Sequence, residues 1–167
     1  MKRWMGPALM AAGLMALPAS AAADQLLSSA AGNWTGDGTL RTSSEGAPEP
    51  VRCRVDNSFN EANGRLSMSG RCAVPSQTWT VSGSLARDAS GRYSGDWRDP
   101  RSGAMSAISG RRQGDSILFD ITEQDPETGE DVDGSMVWTF RQGQYSIQSF
   151  VNVDGERVAI ATIVFSQ

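Results

Sequence analysis

The chain has 167 residues, with 15 Lys and Arg against 19 Asp and Glu, a formal charge of −4, and two cysteines. There is no histidine, and the one lysine is Lys2. That removes Ser-His-Asp and Cys-His nucleophile systems, His-ligated zinc and haem, and lysine Schiff-base chemistry, while the acidic balance argues against general nucleic-acid binding.

Residues 1–23 read as a signal peptide. Lys2 and Arg3 form the charged region, Met5 to Leu17 the apolar one, and Ala19-Ser20-Ala21 or Ala21-Ala22-Ala23 the small-residue cleavage site. The apolar run is too short for a spanning helix, so no membrane span is expected. The expectation is an exported protein, periplasmic or secreted, whose two cysteines form one structural disulfide.

Residues 24–31 (DQLLSSAA) are weakly amphipathic, a short helical turn or an ordered arm. From Gly32 onward the chain alternates between apolar and polar residues in short runs separated by turn residues. The run 33–41 places Trp34, Gly36, Gly38 and Leu40 on one face. After the loop 43–50 come runs at 51–60 and 65–73, which hold Cys53 and Cys72 on either side of Asn63-Gly64, a type I′ hairpin signal. In an antiparallel pair, residues with a constant index sum face each other. Cys53 opposite Cys72 sets the same register as Glu61 opposite Gly64, to within about a residue. The cysteines then point inward with Val51, Val55, Leu66 and Met68, and opposed strand residues lie close enough for a disulfide. Arg54 faces Arg71 on the other side of the ribbon.

Further runs occupy 78–86, 92–98, 104–112, 116–122, 135–141, 144–151 and 157–165. Gln142-Gly143 and Asp154-Gly155 are hairpin turns. The last run, with Val158, Ile160, Ile163, Val164 and Phe165, is apolar on both faces, which suits packing on the N-terminal arm or a subunit contact. Nothing reads as a long helix. The fold class expected is all-β, an antiparallel up-and-down (meander) barrel of about eight to ten short strands over 32–167, because closure removes the edges. A two-sheet sandwich is the alternative.

Gly36, Gly38, Gly70, Gly83 and Gly95 recur on the inward register, signifying sharp coiling or room for large neighbours. Those neighbours are Trp34, Trp79, Tyr93, Trp97, Phe119, Trp138 and Phe140. They either fill the interior, with Met68, Met105 and Met136, or line a cavity for a small apolar ligand. The acidic loop 123–134 (EQDPETGEDVDG) lacks EF-hand spacing and reads as solvated rather than as a Ca²⁺ site; no metal or cofactor is implied. Arg52, Arg54, Arg65 and Arg71 share the outer face of the hairpin, either as an anion patch or paired with Asp37, Asp56 or Glu61. No two carboxylates are marked as a catalytic pair, and the chain reads as non-enzymatic.

Gly32-Asn33-Trp34, opening the first strand after a short arm, resembles the G-x-W start of calycins (lipocalins, avidins and related barrels). The resemblance implies a barrel whose floor is closed by Trp34. The T-D-Y segment of lipocalins is absent, and the last strand (ATIVFSQ) lacks the arginine that packs over that tryptophan. Bacterial metalloprotease inhibitors are similar barrels with a G-x-W start and one disulfide, and they insert an N-terminal segment into a protease cleft. Two functions follow as expectations: an exported protein binding a small apolar ligand or a cell-envelope component, or a module inhibiting an envelope protease through 24–31.

Overall fold

A computed structural model describes residues 24–43, 46–98, 103, 105–124 and 131–167. The segment 1–23, read above as a signal peptide, and residues 125–130 of the acidic loop lie outside the described residues. A short helix, α1 (Gln25–Ser29), precedes ten strands: β1 (Gly32–Leu40), β2 (Glu49–Asn60), β3 (Arg65–Val74), β4 (Gln77–Arg87), β5 (Arg92–Arg98), β6 (Met105–Gln113), β7 (Ser116–Gln124), β8 (Asp131–Arg141), β9 (Gln144–Val153) and β10 (Glu156–Ser166). Each strand pairs antiparallel with the next, and β1 pairs with β10 to close an up-and-down barrel. The ten-strand closed meander is compatible with a calycin-like architecture.

Alternation drives the wall. Along β2, Val51, Cys53, Val55 and Asn57 are buried, whereas Arg52, Arg54, Asp56 and Ser58 are exposed. Along β3, Leu66, Met68, Cys72 and Val74 are buried, with Ser67, Ser69 and Arg71 outside. This polar outer face is the reverse of the apolar outer band of a transmembrane barrel.

The cysteine register is as expected: Cys53 pairs with Cys72, the disulfide forms, and Arg54 stands opposite Arg71. The turn differs from expectation. The last pair is Asn60 with Arg65, leaving a four-residue loop in which Gly64 alone has positive φ (63°). The cysteine register puts Asn63-Gly64 one step off the centre of the loop. Asn63 instead accepts a hydrogen bond from the Arg65 amide through its side chain, at 3.1 Å. The Asp154-Gly155 turn does have both residues left-handed (φ 50° and 82°), as a two-residue I′ connection requires.

The last strand is apolar on both faces for a local reason. Its register with β9 shifts between Ala159 and Ala161, and this bulge buries the consecutive residues Ile160 and Ala161. Val164 is exposed on the outer face. Met105, placed with the core by pattern, is 52% exposed, while Met68 and Met136 are buried.

The inward glycines serve both purposes expected of them. A Cβ at Gly95 would lie 1.8 Å from the Ser84 carbonyl oxygen, so backbone approach excludes any side chain there. At Gly36 the space is filled by the Phe165 ring, 2.6 Å from where a Cβ would be.

Candidate ligand site

Chain direction places the start of β1, and with it α1, at one end of the barrel; Leu40 and Arg41 lie at the other. The two ends are built differently.

At the first end, α1 forms the floor. Asp24 caps the helix by accepting from the amides of Leu26 (3.0 Å) and Leu27 (3.1 Å). Capping turns the helix so that Leu26, Leu27 and Ala30 are buried in the barrel core. The second carboxylate oxygen of Asp24 accepts from the Tyr93 hydroxyl at 2.6 Å and lies 3.8 Å from the Arg87 guanidinium. Burial, reinforced by the bond to Asp24, pushes the Tyr93 hydroxyl up to about 12. The Ala30 carbonyl accepts from both Trp34 Nε1 and Asn57 Nδ2, each at 2.9 Å. Asn57 Nδ2 also donates to the Tyr145 hydroxyl, whose pKa is raised by burial. Trp34 thus stands in the floor, where the G-x-W resemblance puts it. Leu26, Leu27 and Ala30 of the arm 24–31 are docked here.

Above the floor lies a layer of rings. Tyr145 stacks on Phe165 with centroids 4.6 Å apart and meets Trp34 edge-on at 4.9 Å. Trp138 packs against Phe119, Phe140, Tyr145 and Trp97. Tyr93 is engaged with the floor, and Trp79 lies beside Cys72 on the neighbouring strand. Of the seven aromatics read as ligand-lining, Trp34, Trp79, Tyr93, Phe119, Trp138 and Phe140 are buried, and Trp97 is half-buried. Five of them, Trp34, Trp97, Phe119, Trp138 and Phe140, come together in one packed cluster with Tyr145 and Phe165.

Beyond the rings, in the half of the barrel away from α1, is a cavity of about 70 Å³. Its wall is mainly aliphatic: Leu40, Val55, Met68, Val81, Ile121, Ile147, Ile160 and Ile163, with Cys72, Phe165 and Trp97. Its polar contributors are Ser149 and Arg41, a half-buried arginine whose guanidinium donates to the Gly46 carbonyl. Trp97 is therefore the member of the predicted aromatic set that faces this cavity. The aliphatic wall and Arg41 were not singled out by sequence. The signal for the wall was present in the period-two pattern, but Arg41 sits just past the last residue of β1, where alternation ends.

The four arginines of the outer hairpin face separate. Arg52 pairs with Asp37 at 3.4 Å, both well exposed. Arg65 donates to the Ser84 hydroxyl at 2.6 Å, toward the α1 end. Arg54 and Arg71 remain side by side. Among the described residues no cluster of three or more potential metal ligands occurs, and no helix is long and apolar enough to cross a membrane. The chain matches no family model, and no curated protein matches it.

Proposed function

We propose that this chain is an exported, non-enzymatic binding protein, periplasmic or secreted, that takes an apolar group of a small ligand or cell-envelope component into the half of the barrel away from α1. The observation that carries this reading is the aliphatic cavity of about 70 Å³ between the ring layer and Arg41. A dry apolar cavity of about 150 Å³ accepts benzene, and pockets that enclose a whole drug-sized ligand run to ~300–1,000 Å³. The space therefore suits a short alkyl segment rather than an entire ligand. The polar remainder would lie toward Arg41, whose fixed charge favours an anionic or strongly hydrogen-bonding head. The disulfide and the N-terminal segment 1–23 support export. Native mass spectrometry of protein recovered from its own host after export tests the proposal. A small amphiphile retained at stoichiometric ratio and released on unfolding is expected. Ligand-free protein that also fails to take up added alkyl amphiphiles would overturn it.

A further inference from the structure

The outer face of the cysteine hairpin carries a second feature, independent of what the interior holds. Alternation turns Arg54 and Arg71 outward, and register sets them directly opposite each other. Like charges directly opposed across a strand pair are destabilising. Here the adjacent rung is the Cys53–Cys72 disulfide, which covalently holds β2 to β3 with their Cα atoms 4.0 Å apart. Neither guanidinium has a hydrogen-bond or ion-pair partner among the described residues, whereas their neighbours Arg52 and Arg65 do. Asp56, two residues along β2 on the same face, pairs with neither.

We propose that Arg54 and Arg71 form an oxyanion site that holds a phosphoryl group. The pair lies in a surface groove of about 470 Å³, whose walls include Thr35, Ala73, the disulfide rung and the Asp37–Arg52 ion pair, in which the Asp37 carboxylate is already engaged. Thr35 is the neighbour of Arg54 on β1, and Thr80 is the neighbour of Arg71 on β4, so exposed hydroxyls flank the pair on both sides. Each guanidinium presents a planar fork of N–H donors. A tetrahedral phosphoryl group offers separate oxygen edges to two forks, whereas a carboxylate is consumed by one. The chain as a whole carries −4, so anions are drawn by this local pair and not by a general positive field. The phosphoryl group has two sources with the same chemistry, a free phosphate ester and a phospholipid headgroup.

The test is a titration of ¹⁵N-labelled protein with inorganic phosphate at constant ionic strength, following the Arg54 and Arg71 side-chain Nε–H signals and the amides of residues 53 and 72. Saturable shifts are expected, weakened by about tenfold or more in Arg54→Gln and in Arg71→Gln and unchanged in Arg65→Gln. All three side chains are on the outer face, so the variants keep the core intact. A parallel arm measures sedimentation with phosphatidylglycerol vesicles against phosphatidylcholine vesicles. Vesicle binding that requires Arg54 and Arg71, without a response to inorganic phosphate, assigns the headgroup as the source. No response in either arm, or responses equal in Arg54→Gln, Arg71→Gln and wild type, overturns the site.

Discussion

Asp24→Ala removes three interactions from the floor at once. The side chain caps α1 through the Leu26 and Leu27 amides, accepts a hydrogen bond from the Tyr93 hydroxyl and pairs with Arg87. Loss of the cap costs about 1 kcal/mol. Leaving a buried tyrosine hydroxyl without its acceptor costs ~1–3 kcal/mol. The Arg87 pair adds about 0–1 kcal/mol, since that arginine is half-exposed. The interactions share one side chain and do not add fully, so the expected loss is about 2–4 kcal/mol. Asp24→Asn keeps a competent cap and an acceptor for Tyr93 but drops the charge, and is expected to cost about 1 kcal/mol. Urea unfolding followed by tryptophan fluorescence measures both. If Asp24→Ala lies within ~0.5 kcal/mol of wild type, the range of an ordinary surface substitution, then α1 is not a structural floor.

Three further outcomes follow from the same geometry. Both tyrosines of the chain, Tyr93 and Tyr145, have raised pKa values, Tyr93 to about 12; the folded state holds protons that the unfolded chain releases near pH ~10. Stability is then complete below pH ~10 and falls as pH rises toward 12. Tyrosinate absorbance should appear together with unfolding, and reversible ionisation near pH 10 in folded protein would contradict the two buried sites. Cys53→Ser with Cys72→Ser opens a link across a sequence separation of 19 and should cost about 3 kcal/mol in the chain-entropy account; unchanged stability, or two reactive thiols in the wild-type protein, would refute the staple. Gly95→Ala, whose Cβ meets the Ser84 carbonyl, should cost ~1–3 kcal/mol of overpacking in urea unfolding, and a neutral result would mean that β4 and β5 are farther apart than described.

Period-two alternation made the strands, their inward faces and the closed meander legible, since each strand here is buried on one face. Cysteine register was legible for the same reason, because a one-residue slip would have sent Val51, Val55, Leu66 and Met68 to solvent. Alternation does not report depth along the barrel axis. Trp34 and Leu40 share a face of β1, yet one belongs to the floor and the other to the cavity. Depth depends on strand stagger and on the β1–β10 closure, which joins residues at opposite ends of the chain. The sequence therefore leaves the aromatics open as packed core or cavity lining, and it places Leu40, Val55 and Met68 inward without marking them as one wall. The Ile160 bulge and the Asp24–Tyr93 bond were illegible for different reasons. The bond joins segments 69 residues apart, whereas the bulge, within the β9–β10 hairpin, shows in the sequence only as a strand apolar on both faces.

The isoleucines offer the most direct test of the binding account. Ile121, Ile147, Ile160 and Ile163 line the cavity, while Ile108 and Ile117 are buried outside it. A methyl-resolved NMR titration with octanoate should shift the first four saturably and leave Ile108 and Ile117 in place. No saturable shift, or equal shifts across all the isoleucines, would contradict an alkyl site in the half of the barrel away from α1.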